Sequence, residues 1–151
     1  MSAVVEDTRT VAISQAVVNA MIAHAQREAP KECCGLLVGS AGRVDENVAT
    51  RNIAGTPETR YEVDPREHIA LNRTLRGSGR EVVGVYHSHP RGPARPSPTD
   101  VAEAFYPDFI YVIVSMEQAS HADVRAFEIV AGQANELTIV HAPILRSFRS
   151  S

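Results

Sequence analysis

Residues 81–90 read EVVGVYHSHP, a run of valines and a tyrosine that closes with two histidines and a proline. β-Branched and aromatic residues favour strands, so this composition predicts a central strand over Glu81–His89. Side chains two residues apart on a strand point to the same face, and His87 and His89 therefore share a face. Residues 90–96 contain three prolines and a glycine, which predicts an irregular loop. Residues 97–100, SPTD, then have the pattern of a helix start.

Helices and further strands are predicted on either side of this strand. Apolar residues recur at helical spacing over 17–25, with Ser14 as the expected N-cap and Pro30 marking the end. A second helix is expected over Pro65–Leu75. Short apolar or extended runs predict further strands over 33–39, 43–53, 60–63, 109–115, 122–130 and 136–141. Interleaved strands and helices predict an α/β or α+β fold with a mixed sheet.

Length and composition restrict the class of protein. The chain has 151 residues, 44% hydrophobic and 22% charged, which fits one globular domain and excludes wholesale disorder. Its net charge of −3 argues against nucleic acid or an anionic membrane as the main partner. The longest apolar run, 109–114, is too short to span a bilayer, and the N-terminus lacks the pattern of a secretory signal. We therefore expect a cytoplasmic protein with no membrane or nucleic-acid partner.

The two cysteines, Cys33 and Cys34, are adjacent in the chain. A disulfide between neighbours needs unusual backbone geometry, and the spacing is not the C-x-x-C of zinc and redox sites. We expect them to be small buried residues on a strand, and the sequence leaves any further role open.

Five residues combine into a pattern typical of a metal site: Glu32, His87, His89, Ser97 and Asp100. Two histidines on one strand face and a carboxylate after a turning loop supply three ligands, as in catalytic zinc sites that keep a fourth position for water. Each element alone has a simpler interpretation. A His-x-His pair is a weak signal, Ser97 and Asp100 could serve only a helix start, and Glu32 could be a solvated loop residue.

The order and spacing of these residues resemble the signature E…H-S/T-H-x7-S-x-x-D of the JAMM, or MPN+, metalloproteases. Residues 32–39 (ECCGLLVG) and 84–90 (GVYHSHP) resemble the family's first strand and its metal-bearing strand, and the loop 92–97 is similar to that of short bacterial members. The resemblance extends over about residues 11–140. It implies a single JAMM/MPN+ domain over residues 1–151, with a mixed, curved β-sheet flanked by helices in a cytidine-deaminase-like topology.

The resemblance also implies a role for each of the five residues. His87, His89 and Asp100 would hold one Zn²⁺ per chain and leave a position for water. Glu32 would accept a proton from the water and pass it to the leaving amine, and Ser97 would donate its hydroxyl to the oxyanion. The donor types leave manganese, iron and cobalt open as alternatives to zinc.

Members of this family cleave amide bonds after the C-terminal tail of ubiquitin or a ubiquitin-like protein. The short chain resembles the bacterial type, which implies a ubiquitin-like sulfur-carrier protein with a C-terminal diglycine as partner, and release of cysteine or of residues that hide the diglycine. Two alternatives are a non-catalytic MPN-type interaction module and an isopeptidase or small-amide zinc hydrolase with another substrate. Phe105, Tyr106 and the strand edges offer a surface for a homodimer, and the sequence leaves the oligomeric state open.

Overall fold

Seven strands and three helices lie within residues 9–118 and 120–141, which the computed structural model describes. The strands are β1 (Thr10–Ile13), β2 (Cys34–Ser40), β3 (Arg43–Thr50), β4 (Glu81–His89), β5 (Ile110–Ser115), β6 (Asp123–Val130) and β7 (Gln133–Val140). The helices are α1 (Gln15–Glu28), α2 (Pro65–Leu75) and α3 (Pro98–Ala102). The predicted mixed α/β domain, with a curved sheet and flanking helices, is confirmed.

The strands follow the order β1-β3-β2-β4-β5-β6-β7, and β1 also pairs with β7, so that the sheet closes into a barrel. β4 lies between β2, to which it is antiparallel, and β5, to which it is parallel, and it has the bounds that the sequence predicts. β1 pairs in parallel with both β3 and β7. The sequence pattern does not predict β1, because four residues are too few for a periodic signal and both partners are distant in sequence.

One face of the sheet packs against α1. Ser14 caps this helix, as predicted, because its Oγ accepts a hydrogen bond from the Val17 N–H at 3.2 Å. Met21 and Ala25 of the buried helix face join Leu37 of β2 in one apolar cluster. No helix among the described residues combines the length and the apolar character that a bilayer crossing requires.

The opposite face of the sheet packs against α2 and the loops around it. Leu36 and Val38 point to this face whereas Leu37 points to the α1 face, so β2 is buried on both sides. A strand buried on both faces has a continuous apolar sequence rather than an alternating one, which explains the run from 34 to 39. α2 begins at Pro65 with Asp64 as its N-cap, and its Leu75 joins the cluster on this face.

The prediction of a strand over residues 60–63 is wrong. Within the described part of the chain, this segment forms only an isolated bridge between Asn52 and Val63. The Asn52 side chain replaces a strand partner, because its Nδ2 donates to the Arg60 carbonyl at 2.9 Å and its Oδ1 accepts from the Glu62 N–H at 3.0 Å. Once these backbone groups are satisfied, the segment can run as a loop from β3 to α2.

Candidate active site

The two histidines of β4 lie side by side on the face that packs against α2. Their Nε2 atoms are 3.1 Å apart. His87 is buried, and its ring stacks on Tyr61 with the ring centroids 4.1 Å apart and an interplanar angle of 17°. The strand geometry that the sequence predicts therefore places two imidazole nitrogens at one point.

Asp100 reaches the same point from α3. Its Oδ2 lies 3.2 Å from His87 Nε2 and 3.1 Å from His89 Nε2, and it also accepts the Ser97 N–H at 2.8 Å. The Ser97 Oγ in turn accepts the Asp100 N–H at 3.0 Å, which makes the pair a capping box. Local helix-start chemistry thus orients the carboxylate towards the two imidazoles.

The loop between β4 and α3 fixes the tautomer of His89. His89 Nδ1 lies 2.7 Å from the carbonyl oxygen of Pro93, and the Ser115 Oγ anchors the loop by donating to the Gly92 carbonyl at 2.6 Å. Because a carbonyl only accepts hydrogen bonds, His89 Nδ1 must carry the hydrogen. In the neutral ring, Nε2 then presents its lone pair to Asp100 and His87.

Glu32 enters the site through the register of β2 on β4. Cys34 pairs with His87, and the pairing continues beyond the strand because Cys33 N–H donates to the Ser88 Oγ at 2.8 Å and Ser88 N–H donates to the Cys33 carbonyl at 3.1 Å. Glu32, one residue earlier, is only 6% exposed. One of its carboxylate oxygens lies within 4.8 Å of ring nitrogens of both His87 and His89.

Burial and charge set the protonation of these groups. Burial raises the pKa of Glu32 to about 7, which His89 opposes and Asp100 reinforces. Burial lowers the pKa of His87. Burial favours the neutral form of Asp100, but hydrogen bonds from His87 and His89 override it and hold the pKa of Asp100 well below its ordinary value. Burial also favours the neutral form of His89, but hydrogen bonds to Asp100 and to the Pro93 carbonyl override it and raise the pKa of His89. Asp100 is therefore ionised near pH 7, whereas Glu32 is close to its midpoint.

The three converging atoms fit a small divalent cation. A tetrahedral site with metal–ligand bonds of about 2.0–2.1 Å has ligand–ligand distances of about 3.3 Å. The triangle of His87 Nε2, His89 Nε2 and Asp100 Oδ2 has edges of 3.1, 3.1 and 3.2 Å. Three lone-pair atoms this close repel one another unless a proton or a cation lies between them. The donor set is therefore suited to a metal ion.

Two buried atoms of the site, Glu32 Oε1 and His87 Nδ1, have no hydrogen-bond partner among the described residues. Nearly all buried polar atoms in proteins have a hydrogen-bond partner, and the exceptions are often found at catalytic or ion-binding sites. Such an oxygen next to a cation site is free to accept a proton. The structure thus brings together all five residues that the sequence singles out.

Sequence reasoning does not find two residues that shape the site. Tyr61 covers one side of the His87 ring. Asn52 Nδ2 donates to the Glu32 carbonyl at 3.0 Å while holding the loop that carries Tyr61. Neither residue lies in a periodic element, and both act through tertiary contacts, so no local pattern signals them.

Cys33 and Cys34 are buried free thiols, as predicted. Burial raises the pKa of Cys33 to about 11 and that of Cys34 to about 12. A thiol with such a pKa has almost no thiolate near pH 7 and is a poor nucleophile or metal ligand. The side chains therefore serve the packing of β2.

Comparison with known proteins shows the family of the chain. Residues 14–130 match the family model described as prokaryotic homologs of the JAB domain. The chain belongs to this family. Among relatives of this JAB protein, the CysO-cysteine peptidase of Mycobacterium tuberculosis is 38% identical over 122 residues, covering 80% of this chain and 83% of the relative. The probable TtuB-protein conjugate cleaving protease of Thermus thermophilus is 37% identical over 118 residues, covering 78% and 75%.

A solved structure has the same JAB-domain architecture. Protein DSY2949 from Desulfitobacterium hafniense superposes with a TM-score of 0.78 at 30% identity, covering 87% of this chain and 92% of that protein. The family expected from the sequence signature is thus confirmed, by sequence over most of the chain and by fold.

Proposed function

We propose that this chain is a zinc-dependent metallopeptidase that hydrolyses the amide bond after the C-terminal diglycine of a ubiquitin-like sulfur-carrier protein. The observation that carries the proposal is the convergence of His87 Nε2, His89 Nε2 and Asp100 Oδ2 beside the buried Glu32 carboxylate. Metal-assisted hydrolysis of an amide by water uses a Lewis acid and a group that accepts and returns a proton. The relatives named as a peptidase and a protease support this reaction class.

His87, His89 and Asp100 would bind one Zn²⁺ per chain through these three atoms. Two imidazole nitrogens and one carboxylate oxygen are common donors in catalytic zinc sites. When bound, the ion supplies Lewis acidity, which polarises a carbonyl group and lowers the pKa of water towards ~7. Asp100 is the better third ligand because it contacts both imidazoles directly, whereas Glu32 Oε1 makes no hydrogen bond within the described residues.

Glu32 would move the proton. Its carboxylate would accept a proton from a water molecule whose oxygen adds to the carbonyl carbon of the scissile bond. The C–N bond then breaks, and Glu32 returns the proton to the nitrogen of the leaving amine. Burial supports this role, because in the metal-free site it raises the pKa of Glu32 to about 7 and makes the carboxylate a better proton acceptor than an exposed one.

Ser97 would stabilise the negative charge that develops on the carbonyl oxygen. Its Oγ accepts the Asp100 N–H at 3.0 Å, which fixes the hydroxyl oxygen against the backbone of the residue that supplies the proposed carboxylate ligand. No described residue accepts the Ser97 hydroxyl hydrogen, which leaves it available for the substrate oxygen.

The relatives support the proposed substrate class. The name CysO-cysteine peptidase describes release of cysteine from a named protein, and the name TtuB-protein conjugate cleaving protease describes release of that protein from a conjugate. We carry over the shared element, cleavage of a group joined to a named protein, and propose for this chain that the protein is a ubiquitin-like carrier joined through its C-terminal diglycine, as the family resemblance implies. We also propose that residues 1–151 form one domain that works in the cytoplasm, without nucleic-acid or membrane partners, in line with the net charge of −3.

The test is to incubate the zinc-loaded protein with ubiquitin-like sulfur carriers from the same genome, prepared with a C-terminal cysteine adduct or a short extension. Intact-mass spectrometry reads the products, and Glu32→Gln is the matched control. We expect loss of the group that follows the diglycine, and no loss with the control. An unchanged carrier mass with zinc bound would instead favour a non-catalytic module or another amide substrate.

A further inference from the structure

The backbone of Glu32 is held by the loop that follows β3 rather than by a strand. β2 begins at Cys34, so Glu32 lies two residues before the ladder between β2 and β4. Its N–H donates to the Pro57 carbonyl at 2.7 Å, and its carbonyl accepts a hydrogen bond from Asn52 Nδ2 at 3.0 Å. Both backbone hydrogen bonds of the residue proposed to move the proton therefore come from the segment 52–57.

Asn52 uses every hydrogen-bonding position of its side-chain amide. Its Nδ2 donates to the carbonyls of Glu32 and Arg60 at 3.0 and 2.9 Å. Its Oδ1 accepts from the N–H groups of Ala54 and Glu62, both at 3.0 Å. An amide has two N–H donors and an oxygen with two lone pairs, so no position is left over. The environment therefore requires asparagine, because aspartate has the same shape but no donor.

The Glu32 side chain has no comparable anchor of its own. Its Oε1 is buried and has no hydrogen-bond partner among the described residues. The direction of the carboxylate therefore depends on where the backbone of Glu32 is held. The groups that it faces are fixed independently, because the Pro93 carbonyl holds the His89 ring and a capping box holds the Asp100 carboxylate. Loss of the Asn52 bonds should thus move Glu32 relative to these groups.

Asn52 is also linked to the site by a longer route. It bonds to the backbone on either side of Tyr61, whose ring stacks on His87. Tyr61 has support of its own, however, because it packs against the apolar cluster on the α2 face of the sheet. The direct hydrogen bond to the Glu32 carbonyl is therefore the stronger link between Asn52 and the site.

Resting on the proposed function, we propose that Asn52 is a positioning residue for proton transfer. Its bond to the Glu32 carbonyl sets where the Glu32 carboxylate lies relative to the three converging atoms. Reaction rates are sensitive to such placement, since a displacement of about 1 Å can lower a rate roughly 10²-fold. The alternative is a role confined to holding the loop, which would lower stability without a specific effect on the step that uses Glu32.

The first test measures kcat for carrier cleavage, together with zinc content, in Asn52→Asp and Asn52→Ala. Both variants lack the two donor bonds, and Asn52→Asp retains the acceptor oxygen that holds the loop. We expect kcat at saturating substrate and zinc to fall about 10–100-fold, with one zinc per chain. Thr50→Val is the matched control, because Thr50 Oγ1 donates to the Cys34 carbonyl at 3.2 Å, two residues beyond Glu32. It should lower the free energy of unfolding and retain kcat. Wild-type kcat in Asn52→Asp, or an equal loss in Thr50→Val, would overturn the proposal.

A double substitution separates positioning from a general structural effect. If Asn52 acts through Glu32, Asn52→Asp should lower the turnover of the wild type but leave the residual rate of Glu32→Gln unchanged. A structural effect would lower both rates by the same factor. Single-turnover cleavage, with the enzyme in excess over the carrier, measures the two ratios. Equal ratios would assign Asn52 to the loop alone.

Two further readouts do not depend on cleavage. Zinc affinity should be retained in Asn52→Asp, and a marked fall in affinity with kcat at saturating zinc unchanged would assign the effect to Tyr61 and His87 instead. In crystal structures of the zinc-loaded wild type and Asn52→Asp, the position of the Glu32 carboxylate relative to His87 should differ by about 1 Å. If the wild type cleaves no carrier, the peptidase assignment fails, whereas a displaced carboxylate would retain the positioning role. An unmoved carboxylate would refute that role.

Discussion

Strand β4 carries two histidine-containing clusters on its two faces. On the α1 face, the Tyr86 hydroxyl lies 2.8 Å from His24 Nδ1 and accepts a hydrogen bond from Asn47 Nδ2 at 3.3 Å. Each polar group at this junction has a partner within the chain. His87, one residue later on the strand, lies on the α2 face, where some buried polar atoms have no partner among the described residues.

On the α2 face, two ring nitrogens and one carboxylate oxygen converge on one point. His89 Nε2 and Asp100 Oδ2 are both acceptors when the ring is neutral, and they lie 3.1 Å apart. Glu32 Oε1 and His87 Nδ1 are buried with no partner among the described residues. This contrast distinguishes the structural His24 from the functional pair His87 and His89. A cluster whose acceptors are matched by donors of the same chain stabilises the fold, whereas a cluster with more acceptors than donors requires a ligand from outside.

Removal of a histidine from each face is the strongest test of this difference. We expect His89→Ala to lose stoichiometric zinc, with a fall in zinc affinity larger than the roughly 10–100-fold that loss of an outer partner causes. His24→Ala, the matched substitution on the other face, should bind zinc normally and only lower the free energy of unfolding. Metal content after gel filtration measures both. Full zinc occupancy in His89→Ala would remove His89 from the ligand set.

Glu32→Gln separates proton transfer from metal binding. The amide retains the size of the side chain but cannot accept a proton, so turnover should fall roughly 10²–10⁴-fold. Zinc content should stay at one ion per chain, because the proposed ligands are His87, His89 and Asp100. Single-turnover cleavage and metal content on the same preparation check this prediction. Loss of zinc together with activity would make Glu32 a ligand instead.

The two N-cap serines offer a similar contrast. Ser14 and Ser97 each accept a backbone N–H at a helix start, at 3.2 and 3.0 Å. Replacement of either by alanine should cost about 1 kcal/mol of stability from the lost cap. Only Ser97→Ala should also lower kcat, by about 10²–10³-fold, because it removes the proposed donor to the oxyanion. Equal turnover in the two variants would limit Ser97 to its capping role.

The sequence predicts one of these two faces much better than the other. The bounds of β4, the shared face of His87 and His89, and the helix start at Ser97 follow from short-range geometry. The position of Glu32 in the site depends on the register between β2 and β4, which no local sequence pattern predicts. Glu32 is identified from the sequence only through the family signature. The partner of His24 stays unpredicted, because Tyr86 lies 62 residues away and nothing local links them.

Closure of the barrel and the path of the loop from 53 to 62 could not be predicted from the sequence either, for the same physical reason. β1 is short and depends on β3 and β7, and the loop from 53 to 62 depends on the four hydrogen bonds of one side chain, Asn52. Periodicity reports which face of an element is buried. It does not report which distant element buries it, and features built by single tertiary contacts therefore appear only in the structure.

Tyr86→Phe tests the α1 face with the smallest change. It removes one oxygen and leaves His24 Nδ1 and Asn47 Nδ2 without their shared partner, which should lower the free energy of unfolding by about 1–3 kcal/mol. Zinc content and kcat/KM should equal those of the wild type, although Tyr86 immediately precedes His87, because the two side chains lie on opposite faces of β4. Urea denaturation and cleavage assays on the same preparation measure the two outcomes. A marked loss of zinc would mean that the faces are coupled through the strand, and that the α1 cluster belongs to the site.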